Sequence, residues 1–403
     1  MAALLWGNVY FKGVYAGKLK EEPGQRFSFA YDDSYIEARH PLISYTLPVR
    51  KEPIISEHGL HPFFDNLVAE GWMQNAQARI LGVNRDNRFA LLLGFGFDLI
   101  GAVCITDPEN SKRRGIDQSD PMIATVLKGK ASISGIHRKL LLLKEGKSYR
   151  IPGENELSTH IAKIYSKEHP ELLEIEYLTT LAIKKLLPSD EVVEVELVEK
   201  LMDMQQKALI ITRFDRRPSG ERIHFEEFNQ LLGKKSEQKY DASYADMAQY
   251  LSQDTLMAER ERLFRRVLAS FIVGNTDAHL KNFAMFHTKN GLSLTPSYDQ
   301  VASSYYDYPD IALRLYNNSD VKIISGLKAK HILELGKCFG FVSDKVTLGA
   351  VKDFGRRVVQ AQAAVERSDV GSGKLRKCLS EIMEKRWNGT FASIGQLLSK
   401  RRT

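Results

Sequence analysis

A chain of 403 residues, 43% hydrophobic and 27% charged, with a formal net charge of +7, has ordinary globular composition and room for two or three domains. Its three cysteines, Cys104, Cys338 and Cys378, are too widely spaced for a disulfide or metal framework, and a reducing cytoplasm suits them. No basic segment leads into an apolar core at the N-terminus, so no signal peptide is expected; the most apolar run, Phe89 to Ile105, contains Asp98 and is shorter than the roughly 20 residues of a membrane span.

In chain order, residues 1–108 read as a small α+β domain. It opens with a strand-rich stretch from Leu4 to Tyr15 that carries hairpin glycines. Gly94 and Gly96 suggest a nucleotide loop, but Gly101 follows at the wrong spacing, so the run reads as core. Residues 109–129 are polar and basic, a linker. Residues 130–215 carry three segments with chemical content. Ser132-Ile-Ser-Gly-Ile-His-Arg-Lys139, ahead of Leu140 to Leu143, can cover a phosphate with backbone N–H groups and the Lys139 ammonium, although an ordinary turn entering a strand has the same look. In Leu157 to Ile164, strand alternation puts Ile161, Lys163 and Tyr165 on one face and aims the lysine inward, where most single strand lysines point to solvent. Lys207 to Asp215 is an apolar strand ending in a polar segment, suited to meet adenine through its backbone. From 216 to 403 the pattern is mostly helical.

The most informative stretch is Gly274-Asn-Thr-Asp-Ala-His-Leu-Lys-Asn282. Arg260 to Val273 ahead of it has Leu263, Phe264, Val267, Leu268, Phe271 and Ile272 at helical spacing, and Gly274 ends that helix, leaving Asp277 on a loop. Phe283 to Phe286, a turn at Lys289-Asn-Gly291 and Leu292 to Leu294 form a hairpin that returns the chain to Asp299 beside Asn282. Protein kinases separate their catalytic base and a magnesium ligand by the same interval as Asp277 and Asn282, with a metal-binding aspartate shortly after. One carboxylate accepts the proton of an attacking hydroxyl, while an amide oxygen and a second carboxylate suit a hard cation. A solvated turn between a helix and a hairpin is the bland alternative, but loop, lysine, hinge, base and two metal ligands stand in the order of a kinase. Asp353-Phe-Gly355 spells a kinase metal motif too, but it falls inside a helical pattern and too far beyond Asp277.

These segments resemble the HipA-type serine/threonine kinases, toxins of bacterial toxin–antitoxin pairs. The resemblance rests on Ser132 to Lys139, Ser158 to Lys163, Thr212-Arg-Phe-Asp-Arg216, Gly274 to Phe283 and Leu294 to Asp299, and covers roughly residues 5 to 320. Phe29 to Asp33, Tyr45 to Arg50, Phe63 to Asn66 and Gly96 to Ala102 look like that family's appended N-terminal domain. The phosphate loop departs from the family's Gly-Ala-Gln-x-Lys in having Ile136 and His137.

The resemblance implies an α+β, bilobal, protein-kinase-like fold with an added N-terminal domain, an amino-terminal lobe over 130–215 and a helical carboxy-terminal lobe over 216–403. It makes Asp277 the catalytic base and Asn282 and Asp299 the Mg²⁺ ligands. ATP would meet Ser134, Gly135, Ile136, His137, Arg138 and Lys139 of the phosphate loop, Lys163, the hinge backbone of Thr212, Arg213 and Phe214, and His279, Lys281 and Tyr298. Ser132 or Ser134 would be autophosphorylated, and the added charge would repel ATP. A helix glutamate, Glu176 or its neighbours Glu171 and Glu174, would pair with Lys163. The implied partners are a helix-turn-helix antitoxin of the HipB type, operator DNA through that antitoxin alone, and a protein substrate such as an aminoacyl-tRNA synthetase, all in the cytoplasm and away from membranes. Two other readings use the same parts: an ATP- or partner-binding subunit without turnover that regulates transcription with the antitoxin, and a small-molecule kinase.

Overall fold

The computed structural model describes residues 4–108, 138–153, 156–204, 206–251 and 257–394. The linker 109–129 and the loop residues Ser132, Ser134, Gly135, Ile136 and His137 lie outside the described residues. The architecture is mixed α+β, and the chain divides into two units: Met1–Ser166 with Val198–Gln238, and Lys167–Leu197 with Lys239–Thr403.

In the first unit, strands β1 (Trp6–Phe11), β2 (Val14–Glu22), β3 (Arg26–Tyr31), β4 (Ile54–Ser56) and β5 (Val103–Thr106) form an antiparallel sheet in the order β4-β3-β2-β1-β5. Lys12 and Gly13, both at positive φ (50° and 81°), make the tight turn between β1 and β2, and the φ sign at both central positions is that of a type I′ hairpin. Alternation sends Val9, Phe11, Leu19 and Phe29 inward, onto Phe63, Phe64, Phe89 and Leu92 from the helices Pro62–Asp65 and Arg88–Phe95. The apolar run at 89–105 is therefore core, as its glycines and Asp98 indicate.

A second sheet holds β6 (Lys139–Glu145), β7 (Ser148–Arg150), β8 (His160–Ile164) and β10 (Ala208–Thr212), neighbours in the order β7-β6-β8-β10; β9 (Val195–Val198) precedes β10 in the chain and β11 (Phe225–Glu227) follows it. One face buries Leu140, Leu142, Ala162, Ile164, Ala208 and Ile210 together. The opposite face puts Leu141 and Ile161 against Met73, Ile80 and Phe95. Lys163 falls on the Ile161 side by alternation, and its partner across the β6–β8 pair is Lys139. Both lysines are buried.

Beneath the hinge lies a buried ionic cluster. Arg213 donates through Nε and Nη2 to Asp215 at 2.9 and 2.7 Å and through Nη1 to Ser158 Oγ at 2.8 Å. Arg216 donates to Asp98 at 2.7 Å and to Asp215 at 2.9 Å, and Asp98 also accepts from Ser158 Oγ at 2.6 Å. The Gly101 N–H reaches Asp215 at 2.8 Å, and both guanidinium groups reach the Leu99 carbonyl. Residues 98–101 of the N-terminal part and 213–216 of the hinge are thus locked to one another by fully desolvated charges.

In the second unit, the helix Asp344–Glu366 packs along Leu172–Leu186 and Gly373–Arg386, and the last of these also meets Met257–Val273. Asp353-Phe-Gly355 sits inside the first helix, with Phe354 fully buried and Asp353 accepting from Arg265 at 3.1 Å. Asp190 accepts from Arg262 at 2.7 Å and from Arg266 at 2.5 Å, fixing the loop after Leu172–Leu186 to the helix Met257–Val273. Among the described residues no helix is long and apolar enough to cross a membrane.

Removing one member of a buried charge network leaves its partners uncompensated, so Asp98→Ala should cost about 3–5 kcal/mol in chemical denaturation of the chain. Burial alone would raise the Asp215 carboxyl, but Arg213 and Arg216 outweigh it and hold the group at about 2, against an ordinary 3.8. A depressed carboxyl stabilises the fold above its unfolded value, so this contribution should fade as the pH falls from about 4 toward about 2, and more weakly in Asp215→Asn.

Candidate active site

The loop that bears Asp277 begins at a helix end of defined chemistry. In Met257–Val273, Leu263, Phe264, Val267, Leu268, Phe271 and Ile272 are all at most 1% exposed, the apolar face that the spacing requires. Gly274 then takes φ +75°; its N–H goes back to the Phe271 carbonyl at 3.3 Å and the Asn275 N–H to the Ser270 carbonyl at 2.9 Å. These are the two bonds of a Schellman cap, and they satisfy carbonyls that the helix end would otherwise strand. The left-handed residue turns the chain sharply out of the helix.

Thr276 is fastened at every polar group it owns. Its N–H donates to Ser303 Oγ at 2.8 Å, its hydroxyl to the Tyr308 carbonyl at 2.9 Å, and its carbonyl accepts from the Ala312 N–H at 2.8 Å. Buried Asn275 accepts the Asp277 N–H at 3.1 Å and donates to Gln300 at 3.3 Å, while Gln300 donates to the Tyr298 carbonyl at 3.1 Å. Asp277 itself is exposed between buried neighbours, a carboxylate held out from a rigid base. Its charge is felt nearby: burial first, and then Asp277, push the Tyr244 phenol up, while the Tyr244 O–H donates to the Ala278 carbonyl at 3.0 Å.

The next turn aims Asn282. The His279 N–H is shared between the Asp277 carbonyl at 2.8 Å and Asn282 Oδ1 at 3.0 Å, and a 3₁₀ turn runs over Leu280–Asn282. The hairpin of β12 (Ala284–Thr288) and β13 (Gly291–Leu294) follows, with Met285 opposite Leu294. Thr288 is opposite Gly291, so the two turn residues are Lys289 and Asn290, and Gly291 follows at φ +99°. Past the hairpin, Thr295 returns a hydrogen bond to Ala284, and Ser297 exchanges backbone bonds with Glu191 and Val193 at 2.8 and 3.0 Å. Asp299 arrives at φ +54°, a left-handed conformation that a non-glycine residue adopts at a cost. There its Oδ2 accepts from Asn282 Nδ2 at 2.8 Å. The Tyr298 hydroxyl donates to the Lys281 carbonyl at 2.7 Å, tying the two turns together a second time.

Asp277, His279, Lys281, Asn282, Tyr298 and Asp299 therefore all belong to one hydrogen-bonded assembly of the second unit. His279 and Lys281 are buried within it. Glu174 and Glu176 are buried on Leu172–Leu186, whereas Glu171 accepts the Tyr305 hydroxyl at 2.5 Å. In the first unit, Lys163 and Lys139 face each other across β8 and β6, with Arg138 just ahead of β6. In the hinge, Thr212 ends β10 and Phe214 stacks obliquely on Phe225 at 5.0 Å between centroids. The Arg213 N–H is given to the Thr159 carbonyl at 3.0 Å and its guanidinium to the ionic cluster. The sequence reading did not reach Asn275 and Gln300, which tie the loop to the Asp299 turn, nor Tyr240, whose hydroxyl donates to Asp277 Oδ1 at 3.0 Å.

Against known proteins, a family model described as the HipA N-terminal domain matches residues 7–106, and one described as the HipA-like C-terminal domain matches residues 131–365. The Y4dM protein of Sinorhizobium fredii is 28% identical over 299 residues, 70% of this chain and 73% of that protein. The serine/threonine-protein kinase toxin HipA of Shewanella oneidensis is 27% identical over 317 residues, 70% of this chain and 71% of its own. A chain in the solved complex of Shewanella oneidensis MR-1 HipA, HipB and operator DNA superposes with a TM-score of 0.74 at 21% identity, covering 96% of both chains. The fold is thus the kinase-like HipA fold that the motifs imply. The chain belongs to the HipA family.

Gly274 is the residue on which the loop's exit depends. A Cβ there would run into Ser304 Oγ and lie 2.7 Å from Ile382 Cγ2, at a φ that side chains avoid. Gly274→Ala should lower stability by about 1–3 kcal/mol in thermal or urea unfolding, beyond the small change of an ordinary surface substitution.

Proposed function

We propose that this protein is a Mg-ATP-dependent serine/threonine protein kinase, the toxin of a toxin–antitoxin pair. The observation that carries the reading is the 2.8 Å contact between Asn282 and Asp299 on a turn fixed to the same loop as exposed Asp277. Asn282 and Asp299 meet from distant positions, Asn282 turning its Nδ2 to Asp299 while its Oδ1 takes the His279 N–H. The side-chain oxygens of an amide and a carboxylate this close suit a hard divalent cation, and a left-handed aspartate is the kind of backbone cost that functional sites bear. Mg²⁺ held by Asn282 and Asp299 would neutralise charge on the phosphates of ATP.

The remaining roles fall to the chain's own groups. Asp277 orients the substrate hydroxyl and takes its proton as the hydroxyl oxygen bonds to the γ-phosphorus and the bond to the β,γ-bridging oxygen breaks, releasing ADP. Lys163 and Lys139, partners in the β6–β8 register and both buried, supply cationic donors to phosphate. The carbonyl of Arg213 and the backbone of Thr212 and Phe214 offer the adenine contacts, and Arg138, His279, Lys281 and Tyr298 shape the surroundings. Ser134, Gly135, Ile136 and His137 would complete the phosphate cover, with Ser132 or Ser134 as the site of self-modification.

Family membership supports a helix-turn-helix antitoxin of the HipB type as partner, with operator DNA reached through it; the structural relative comes from a complex of HipA with HipB and operator DNA. A translation component such as an aminoacyl-tRNA synthetase, met in the cytoplasm, is the proposed protein substrate. Asp277 is exposed, so Asp277→Ala should leave the melting temperature unchanged while lowering phosphate transfer from γ-labelled ATP into lysate proteins by about 10²–10⁴-fold. Wild-type transfer by that variant would overturn the reading.

A further inference from the structure

We infer that Tyr240 is a positioning residue of this site: its phenol holds the Asp277 carboxylate in one orientation through Oδ1, so that the second carboxylate oxygen is the one offered to a substrate hydroxyl. The inference rests on the reading of Asp277 as the base.

The Tyr240 O–H donates to Asp277 Oδ1 at 3.0 Å. The two residues are far apart in the chain, so the contact is made by the fold and not by a local turn. The backbone around Tyr240 is anchored to the loop it serves. The Lys239 carbonyl accepts the Leu280 N–H at 3.2 Å, from within the segment that follows Asp277. A few residues on, Tyr244 is buried and donates its backbone N–H to the Arg314 carbonyl at 2.9 Å and its hydroxyl to the Ala278 carbonyl at 3.0 Å. The Tyr240 ring meets the His279 ring edge-on, with centroids 5.2 Å apart. Its hydroxyl is therefore tied to the loop through both the backbone beside it and the ring that carries it.

Such a donor acts on the carboxylate itself, beyond what holds the main chain of Asp277. The main chain is held by Asn275 and by the three fastenings of Thr276. The exposed carboxylate ends a side chain with two torsions, and only some of their combinations present the correct oxygen to a hydroxyl. Reactions of this kind are steep in geometry, because a base contributes only from within hydrogen-bond reach of the proton it takes. A carboxylate also has about four lone-pair sites, so the phenol on Oδ1 does not exhaust its capacity to accept. Tyr240 is 43% exposed, which places it at the rim of the site, where a polypeptide substrate can pass.

The test measures phosphate transfer from γ-labelled ATP to a serine/threonine peptide library for the wild-type chain, Tyr240→Phe, Tyr240→Ala and Asp277→Asn. If the hydroxyl positions the base, Tyr240→Phe lowers kcat by roughly tenfold, leaves the KM for ATP within about twofold and leaves Tm unchanged, and Tyr240→Ala does no more. A wild-type kcat in Tyr240→Phe would overturn the inference. So would a raised one, which would make the phenol an obstruction, or a loss seen in Tyr240→Ala alone, which would assign the effect to the ring. Activity retained by Asp277→Asn, or no transfer by the wild-type chain, would instead remove the base itself and the inference with it. A silent Tyr240→Phe beside an inactive Asp277→Asn leaves the base standing and rejects only the role of Tyr240.

Discussion

Thr276 has its N–H, hydroxyl and carbonyl all committed to neighbouring segments, and it stands between a left-handed glycine and the exposed carboxylate of Asp277. That fastening is the constraint on which the rest of the site depends. A loop that leaves a buried helix and must hold one charged side chain in the open cannot rely on apolar packing for its shape. It is held here by hydrogen bonds that begin at the Schellman cap and continue through Asn275 and Gln300 to the turn bearing Asp299. Buried polar groups are costly unless satisfied, and a fully satisfied network is correspondingly rigid. The rigidity matters chemically, because an amide and a carboxylate can share one ion only if neither wanders.

A different device governs the first unit. Two arginines and two aspartates are buried there with nearly complete hydrogen bonding, linking the 98–101 segment to the hinge at 213–216. Replacing such a cluster wholesale with apolar residues is often neutral for stability, whereas breaking it piecemeal is not. Its contribution is best understood as registry. With its side chain and its N–H both engaged, Arg213 sits in one position, and the carbonyl beside it is presented in one direction. The appended N-terminal part thereby bears directly on the geometry of the segment proposed to meet adenine.

The helix before Asp277, its ending at Gly274 and the returning hairpin were all legible in the sequence, because periodicity and a glycine at the boundary are local signals. The rejection of Asp353-Phe-Gly355 followed from the same periodicity, and Phe354 is indeed core. Convergence of Asn282 with Asp299 was legible as a consequence of hairpin topology. What periodicity could not supply were the long-range polar partners. Nothing near Asp98 in the chain announces Arg213 and Arg216, more than a hundred residues on, and Tyr240 carries no motif that ties it to Asp277. Side-chain hydrogen bonds between distant segments leave no period in a sequence; they become visible only once the backbone has been placed. The hinge shows the same limit. Its apolar strand was readable, but the commitment of the Arg213 N–H to Thr159 depends on strand register.

The claim at the centre of this account is that Asn282 and Asp299 grip one divalent ion beside a nucleotide. Electron paramagnetic resonance of Mn²⁺ titrated into the chain with a non-hydrolysable ATP analogue tests it without requiring turnover. The account predicts that the wild-type chain quenches the free Mn²⁺ signal beyond the quenching by the analogue alone, and that Asn282→Ala combined with Asp299→Ala, shown to be folded by circular dichroism, abolishes this excess. Equal Mn²⁺ uptake by the wild-type chain and the double variant would contradict it.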